Sequence, residues 1–420
     1  MGDFITHYLD YAKSTPEVPM NYSRWAGLIG LGAYLGRQYY FEHGNFLIHP
    51  NIYGMLIGVA GARKGTAIKL MKRVFTAAGY TSFSAERTSK EKFLLDLSGE
   101  IDPSETQSAE DILEKNLFAN NPSQDTREVF IAIDEFNDFI GNGNIEFISM
   151  LGNMWNYQGV YTNRIKSGKS VSISNPTISI FGGNTPTNFA LAFPPAIVGQ
   201  GFLSRMIIIH GEPNGKRVTF PPAPTLESTE AIVTHLRQIR ATCQGPATLT
   251  NTAEHLLDAI YQAQLGVADA RFESYSQRRL DHLIKLCIIH SAARSSTTIT
   301  ERDVVVANTI LVHAEQFMPK ALGEFGKAKN SDVAHRVLSI IQANHGVTNL
   351  KDIWHQVSND LENLQALGTI LTNLEEAGKL QRVTKPISGF LPRHEVLDME
   401  KYKNFIDLTM LSPEERNMKV

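Results

Sequence analysis

Apolar and polar positions follow three textures along the chain, and each predicts a different kind of structure. Near the amino terminus Phe4, Tyr8, Leu9 and Tyr11 fall close to a helical spacing, and the stretch from Pro16 to Pro19 interrupts them. The longest apolar run goes from Trp25 to Gly36, between Arg24 and Arg37. It predicts a buried, Gly-rich, tightly packed helix, too short for the ~20 apolar residues that a bilayer span needs. The later run 196–209 is broken by Gly199, Gln200, Gly201 and Arg205, so it does not read as a span either. Residues 1–45 are therefore expected to be a helical segment.

From about residue 46 to 220 short β-rich runs alternate with helical ones. The β-rich runs are 52–57, 80–83, 129–133, 177–181 and 206–210. Such alternation predicts an α/β fold with a parallel sheet and crossover helices. Residues 99–127 are polar and read as a surface excursion with a short helix near 109–117. The Gly/Pro-rich stretch from Pro213 to Pro224 marks a boundary. Residues 226–325 read as helical throughout, with apolar residues such as Leu280, Leu283, Ile284, Leu286 and Cys287 at helical spacing. Beyond 331 the pattern is three short helices and two β-like runs around Lys385–Gly389, which predicts a winged helix-turn-helix. The expected organisation is thus 1–45, 46–220, 221–328 and 329–420.

Composition narrows the class but does not choose it. At 420 residues, 42% hydrophobic and 20% charged, the chain suits a soluble globular protein of several domains. A net charge of −3 gives no overall basic field, so any nucleic-acid contact has to come from a local patch. The two cysteines, Cys243 and Cys287, are far apart and form no disulfide framework or zinc motif. With no basic segment followed by an apolar one at the start, the expectation is a cytoplasmic protein without a membrane partner.

Candidate chemistry begins after the first β-rich run. Gly58-Val59-Ala60-Gly61-Ala62-Arg63-Lys64-Gly65-Thr66 is a Gly-rich turn between a strand and a helix. Such a turn can cradle phosphates with backbone N–H groups, a helix N-terminus and a lysine. Lys64 stands at the offset from Gly58 that the G-x-x-x-x-G-K-[ST] pattern requires. Arg63 replaces its second glycine, and Gly65 replaces the hydroxyl residue that usually holds Mg²⁺, with Thr66 one place later. The same residues also suit a purely structural turn. The run 129–133 ends in Asp134 and Glu135, a carboxylate pair where ligands sit in open α/β sheets. The run 177–181 leads to Gly182-Gly183-Asn184-Thr185-Pro186, a strong turn sequence. Between these lies a basic stretch, 161–171, with Ser167-Gly168 as a hairpin signal and Arg164, Lys166 and Lys169 as cations. Lysines there suit DNA phosphates or the simple protection of a strand edge.

In this order the motifs resemble the AAA+ P-loop ATPases, and among them MCM-type replicative helicases and the helicase-like proteins of phages and mobile elements. The resemblance spans roughly residues 46–325 and rests on short motifs. It implies ATP and Mg²⁺ as cofactors. Gly58, Gly61, Ala62, Arg63, Lys64, Gly65 and Thr66 would bind nucleotide, and Asp134 with Thr66 the metal. Glu135 would be the general base and Asn184 the polar sensor on the neighbouring strand. Gly201-Phe202-Leu203-Ser204-Arg205 is similar to the finger motif of these helicases, making Arg205 a residue presented to a neighbouring subunit. Ser276-Gln277-Arg278-Arg279 is similar to their lid motif, with Arg278 as its sensor. The 161–171 hairpin would grip single-stranded DNA in a central pore. The implied protein is an ATP-driven homo-hexameric helicase that works with other replication proteins. An initiator or loader, a partner-remodelling switch, or a hydrolysis-dead platform are the alternatives, and Gly65 keeps the last of them open.

Overall fold

The structure is a computed structural model, and it describes residues 2–99, 127–164, 170–193, 201–263, 266–267, 269–322, 331–343, 348–361, 363–376, 380–383, 389–392 and 405–418. The expected helix near 109–117, and Lys166 and Lys169, lie outside the described residues. The chain divides into two compact units, Met1–Gly323 with Asn404–Val420, and Glu324–Lys403.

In the first unit the elements run Phe4–Ala12 (α1), Met20–Leu35 (α2), Tyr39–His43 (β1), Phe46–Ile48 (β2), Tyr53–Ile57 (β3), Lys64–Ala77 (α3) and Lys90–Ser98 (α4). Arg127–Ile133 (β4), Phe136–Ile140 (α5), Ile145–Asn153 (α6), Val160–Arg164 (β5), Ser170–Ser174 (β6), Pro176–Asn184 (β7), Pro186–Ala192 (α7) and Met206–His210 (β8) follow. The remainder is Leu226–Thr242 (α8), Gly245–Leu249 (β9), Asn251–Gln262 (α9), Glu273–Gln277 (α10), Arg279–Ala293 (α11), Thr298–Ile299 (β10) and Glu301–Leu322 (α12).

The central sheet has the order β4-β7-β3-β8, and all its pairings are parallel. Its strands are apolar runs buried along most of their length, as a sheet covered on both faces demands. The run 80–83 does not form a full strand. It bridges β4 through Phe83 and Phe130, in parallel sense. Register fixes what meets at the carboxyl edge: Ile57 lies level with Asn184 on one side and His210 on the other. Ile133 lies level with Gly182, so Asp134 arrives beside Gly183.

Helix α2 is buried over almost its whole length, as its apolar run predicts. Its small residues make this possible: a Cβ on Gly30 would stand 2.3 Å from Phe75, and one on Gly32 2.3 Å from the Pro50 carbonyl. Burying each large apolar side chain of such a core stabilises by about 1.5–3 kcal/mol. Among the described residues no helix is long and apolar enough to cross a membrane. Cys243 and Cys287 are buried and free.

Two sequence expectations need correction. Residues 1–45 are not all helical, and residues 226–325 are not helical throughout. A second sheet, β10-β9-β1-β2, joins these regions. Tyr39 pairs with Gly245 and Phe41 with Ala247 in parallel, and Thr298 pairs with Thr248. The local cause is legible: Tyr39, Tyr40 and Phe41 favour strands, Gly44 at φ 59 allows the turn into β2, and Pro246 cannot continue a helix.

The carboxyl-terminal residues return to the first unit. The guanidinium of Arg24 on α2 donates twice to the carboxylate of Glu415, at 2.7 Å each, and both side chains are buried. Asn308 donates to the Phe405 carbonyl and His313 to that of Glu415.

The second unit contains the helices Ser331–Ala343, Leu350–Val357 and Leu364–Glu376. The strands Leu380–Val383 and Gly389–Pro392 pair antiparallel after them. Val337, Ile341, Ile353, Val357, Leu367 and Leu371 form its core.

Candidate phosphate turn and acidic strand end

The Gly58–Thr66 turn leaves the carboxyl end of β3, in the middle of the sheet, and opens α3. Two close approaches shape it. A Cβ on Gly58 would lie 2.4 Å from the Gly211 carbonyl and 2.5 Å from the Tyr22 hydroxyl, so only glycine fits. That hydroxyl faces the carbonyls of Ile57 (2.9 Å) and Gly211 (3.0 Å) and ties the strand ends together from α2. Arg63 adopts φ 61 and ψ 24 at the N-cap of α3. A non-glycine residue in this left-handed region costs about 1–2 kcal/mol.

The second close approach is at Gly65. A Cβ there would stand 1.9 Å from Oδ2 of Asp134. The acidic strand end therefore places its carboxylate in the space that a side chain at position 65 would take. The Asp134 carboxylate has no hydrogen bond or ion pair among the described residues, and it faces the first turn of α3, where the helix dipole favours an anion. Glu135 follows at the N-cap of α5 and is exposed.

Lys64 is buried, and its Nζ donates to the carbonyls of Gly58 (2.8 Å) and Val59 (3.0 Å). Burial pushes its pKa below the ordinary value, while Glu135 and Asp134 oppose that shift. The structure thus brings Lys64, Gly65, Asp134 and Glu135 to one place. Thr66 lies elsewhere on the first turn of α3: it lines a cleft of about 190 Å³ with Thr15, Pro16, Val18, Arg63 and Val218. Ala62 is buried behind the turn, and Gly61 is exposed at φ 84.

Asn184 ends β7 fully buried, and its carbonyl accepts the Gly58 N–H at 3.3 Å. Its side-chain amide donates to Oδ1 of Asn137 at 2.7 Å, and Asn137 in turn donates to the Asn188 carbonyl. Asn137 is a functional candidate that sequence reading missed. Its signal is faint, a polar residue two places after Glu135 on a short helix.

Arg205 and Arg278 occupy the opposite edge of the sheet. Arg205 precedes β8, whose parallel partner β3 carries the turn at its far end. One five-residue strand separates them, about 16 Å. Arg205 is half-buried and donates to the Gly201 carbonyl at 2.6 Å. Burial pushes its pKa down, and the like charge of Arg278 adds to the shift. The Arg278 guanidinium has no hydrogen bond or ion pair among the described residues, while its backbone N–H donates to the Tyr275 carbonyl at 2.9 Å. Its neighbour Arg279 is spent on structure, with Nε donating to both carboxylate oxygens of Glu315, at 2.8 and 3.0 Å.

The basic stretch does contain a hairpin, β5 paired antiparallel with β6 from Val160–Ser174 to Arg164–Ser170. Val171 and Ile173 are buried, whereas Arg164 is exposed at the end of β5. Among the described residues no group of three or more His, Cys, Asp or Glu side chains could hold a metal ion. No protein-family model matches the chain, and no curated protein matches it.

Proposed function

We propose that this protein is an AAA+-type, ring-forming ATPase that works on DNA as a helicase or translocase. The observation that carries the reading is the convergence of Lys64, Asp134 and Glu135 on one turn, with Arg205 and Arg278 at the other edge of the same sheet. A turn with lysine and carboxylates can bind the phosphates and polarise a water. Arginines a strand-length away cannot serve that turn, but they can serve the turn of another copy. A homo-hexamer is the assembly this arrangement suits.

ATP would lie on the turn with Lys64 at its outer phosphates. Asp134, an oxygen donor without a partner, fits Mg²⁺, a hard cation that takes few protein ligands and completes its shell with phosphate oxygens and water. When bound, that ion supplies neutralisation of the phosphate charge. Glu135 is free to accept the proton of the attacking water. Asn137 orients the Asn184 amide near the same strand ends. In this reading α8–α12 serve as the lid, and the three helices and strand pair of the second unit as a winged helix. The β5–β6 hairpin, with Arg164, Lys166 and Lys169, supplies contacts to single-stranded DNA.

One observation favours a second reading. Position 65 offers no hydroxyl, and the Asp134 carboxylate fills its space, an arrangement that also suits a binding-only switch or platform. The deciding measurement is ATP turnover by the pure protein with and without single-stranded DNA, with Lys64→Ala as control. DNA-stimulated turnover that Lys64→Ala abolishes supports the motor. ATP binding without turnover supports the switch, and no binding at all removes both.

A further inference from the structure

Arg63 stands where the turn's conformation favours glycine, at φ 61. Packing does not explain it, because the side chain is half exposed. Its guanidinium pairs with the carboxylate of Glu17, in the segment between α1 and α2. The other carboxylate oxygen of Glu17 accepts the Val218 N–H at 2.9 Å. Nearby, Asn214 donates to the Pro16 carbonyl at 2.9 Å. Glu17 therefore holds three things together: its own segment, the 213–221 loop, and the cation next to the turn's lysine. The Val218 N–H and then Arg63 keep the Glu17 carboxyl below the ordinary range.

A residue kept in a strained conformation, with its charge resting on a breakable surface pair, asks for a second partner. With Arg63 half exposed, water competes for the pair and the carboxylate holds it weakly. A polyphosphate offers several charges and a geometry that the planar guanidinium matches with two parallel hydrogen bonds. The cleft walled by Arg63 and Thr66 opens directly beside the turn.

We propose that Arg63 is a second phosphate-binding cation of the turn and that Glu17 is its intramolecular competitor. Binding of a nucleoside polyphosphate then moves Arg63 from Glu17 to the phosphates and breaks the contact that ties the 15–18 segment to the turn, leaving Glu17 on the Val218 N–H. This rests on the phosphate turn being a nucleotide site.

The test is calorimetric titration of the full chain with ATP. Wild type is compared with Lys64→Ala, Arg63→Gly, Glu17→Gln and the Arg63→Gly/Glu17→Gln double variant. Glycine suits the backbone at 63, and thermal melts verify that each variant is folded. Arg63→Gly should weaken ATP binding by about tenfold or more, the loss of a charge-assisted hydrogen bond. Glu17→Gln should tighten it several-fold, and this gain should vanish in the double variant. If Lys64→Ala abolishes binding but Arg63→Gly binds ATP like wild type, the site stands and the role of Arg63 falls. A Glu17→Gln gain that persists in the double variant also overturns it. If wild type takes up no ATP, the nucleotide site and the inference fall together.

Discussion

Lys285 on α11 is fully buried, and its burial makes a prediction about pH. Its ammonium donates to the His49 carbonyl at 2.8 Å and to Oδ1 of Asn51 at 2.7 Å, and lies 4.7 Å from the centre of a Trp155 ring. No carboxylate pairs with it among the described residues; Asp281, one turn away, only partly offsets the burial. Burial pushes its pKa from the ordinary 10.5 down to about 7. Between those two values the unfolded chain holds a proton that the folded chain has released. Stability therefore rises with pH across that window, by up to about 1.4 kcal/mol per pH unit. Below pH 7 both states are protonated and above about 10.5 neither is, so the slope from this group disappears at each end. From pH 7 to 9 the rise is about 2 kcal/mol. Lys285→Met keeps the volume and removes the charge. It leaves two acceptors without their donor, at about 1–3 kcal/mol each, and relieves a charge-burial cost of about 4–5 kcal/mol at pH 7. These nearly cancel, so the slope is the decisive quantity and not the stability at one pH. Urea unfolding of both proteins at pH 7, 8 and 9 measures it. Wild type should gain about 2 kcal/mol more than the variant over that range, and other titrating groups drop out of the difference. Equal slopes would refute the claim that the folded protein releases this proton.

Glu415→Ala leaves the Arg24 guanidinium buried without its carboxylate, and should cost about 3–5 kcal/mol in denaturant unfolding. Burial alone would raise the Glu415 carboxyl, but Arg24 and the Ser412 N–H hold it below its ordinary value. Its stabilisation is therefore present at neutral pH and lost as pH falls through that lowered value, so acid unfolding of wild type should approach the variant's stability. Arg205→Ala and Glu135→Gln should each lack ATP turnover alone, yet recover part of it when mixed, because an intact pairing can form from complementary halves. Co-assembly of the two with no recovery would place Arg205 outside the reaction. Replacing Lys166 and Lys169 by alanine should flatten the log–log salt dependence of single-stranded DNA binding by about 0.7 for each lost phosphate contact. An unchanged slope would separate the hairpin from DNA.

What was legible in the sequence was what short range encodes. Four apolar runs became the strands of the central sheet, and their ends carry Lys64, Asp134, Glu135 and Asn184 because parallel strands present their carboxyl ends together. The run 80–83 was legible as extended but makes one bridge rather than a full strand. The second sheet was hidden, since Tyr39 pairs with Gly245 across some two hundred residues and no periodicity records the partner. Lys285 was hidden for the opposite reason: it interrupts an apolar helical pattern, and only the fold shows that Asn51 and His49 wait for it. The return of Glu415 to Arg24, and the reach of Arg63 to Glu17, are likewise choices of partner that spacing cannot express.

The two departures from the phosphate-turn pattern change meaning once the strands are in place. By spacing alone Gly65 is a missing hydroxyl, which argues for a weakened metal site. In the fold it is the room that Asp134 uses, because a Cβ at 65 would stand 1.9 Å from the carboxylate. A serine or threonine there would have to displace Asp134 from the first turn of α3. The glycine and the aspartate are thus one arrangement, in which an anionic oxygen stands where a neutral hydroxyl would otherwise be. Arg63 adds a cation beside the lysine, but its guanidinium pairs with Glu17 and not with Asp134. Gly65→Ser should therefore disturb the turn by moving Asp134 rather than restore a lost ligand.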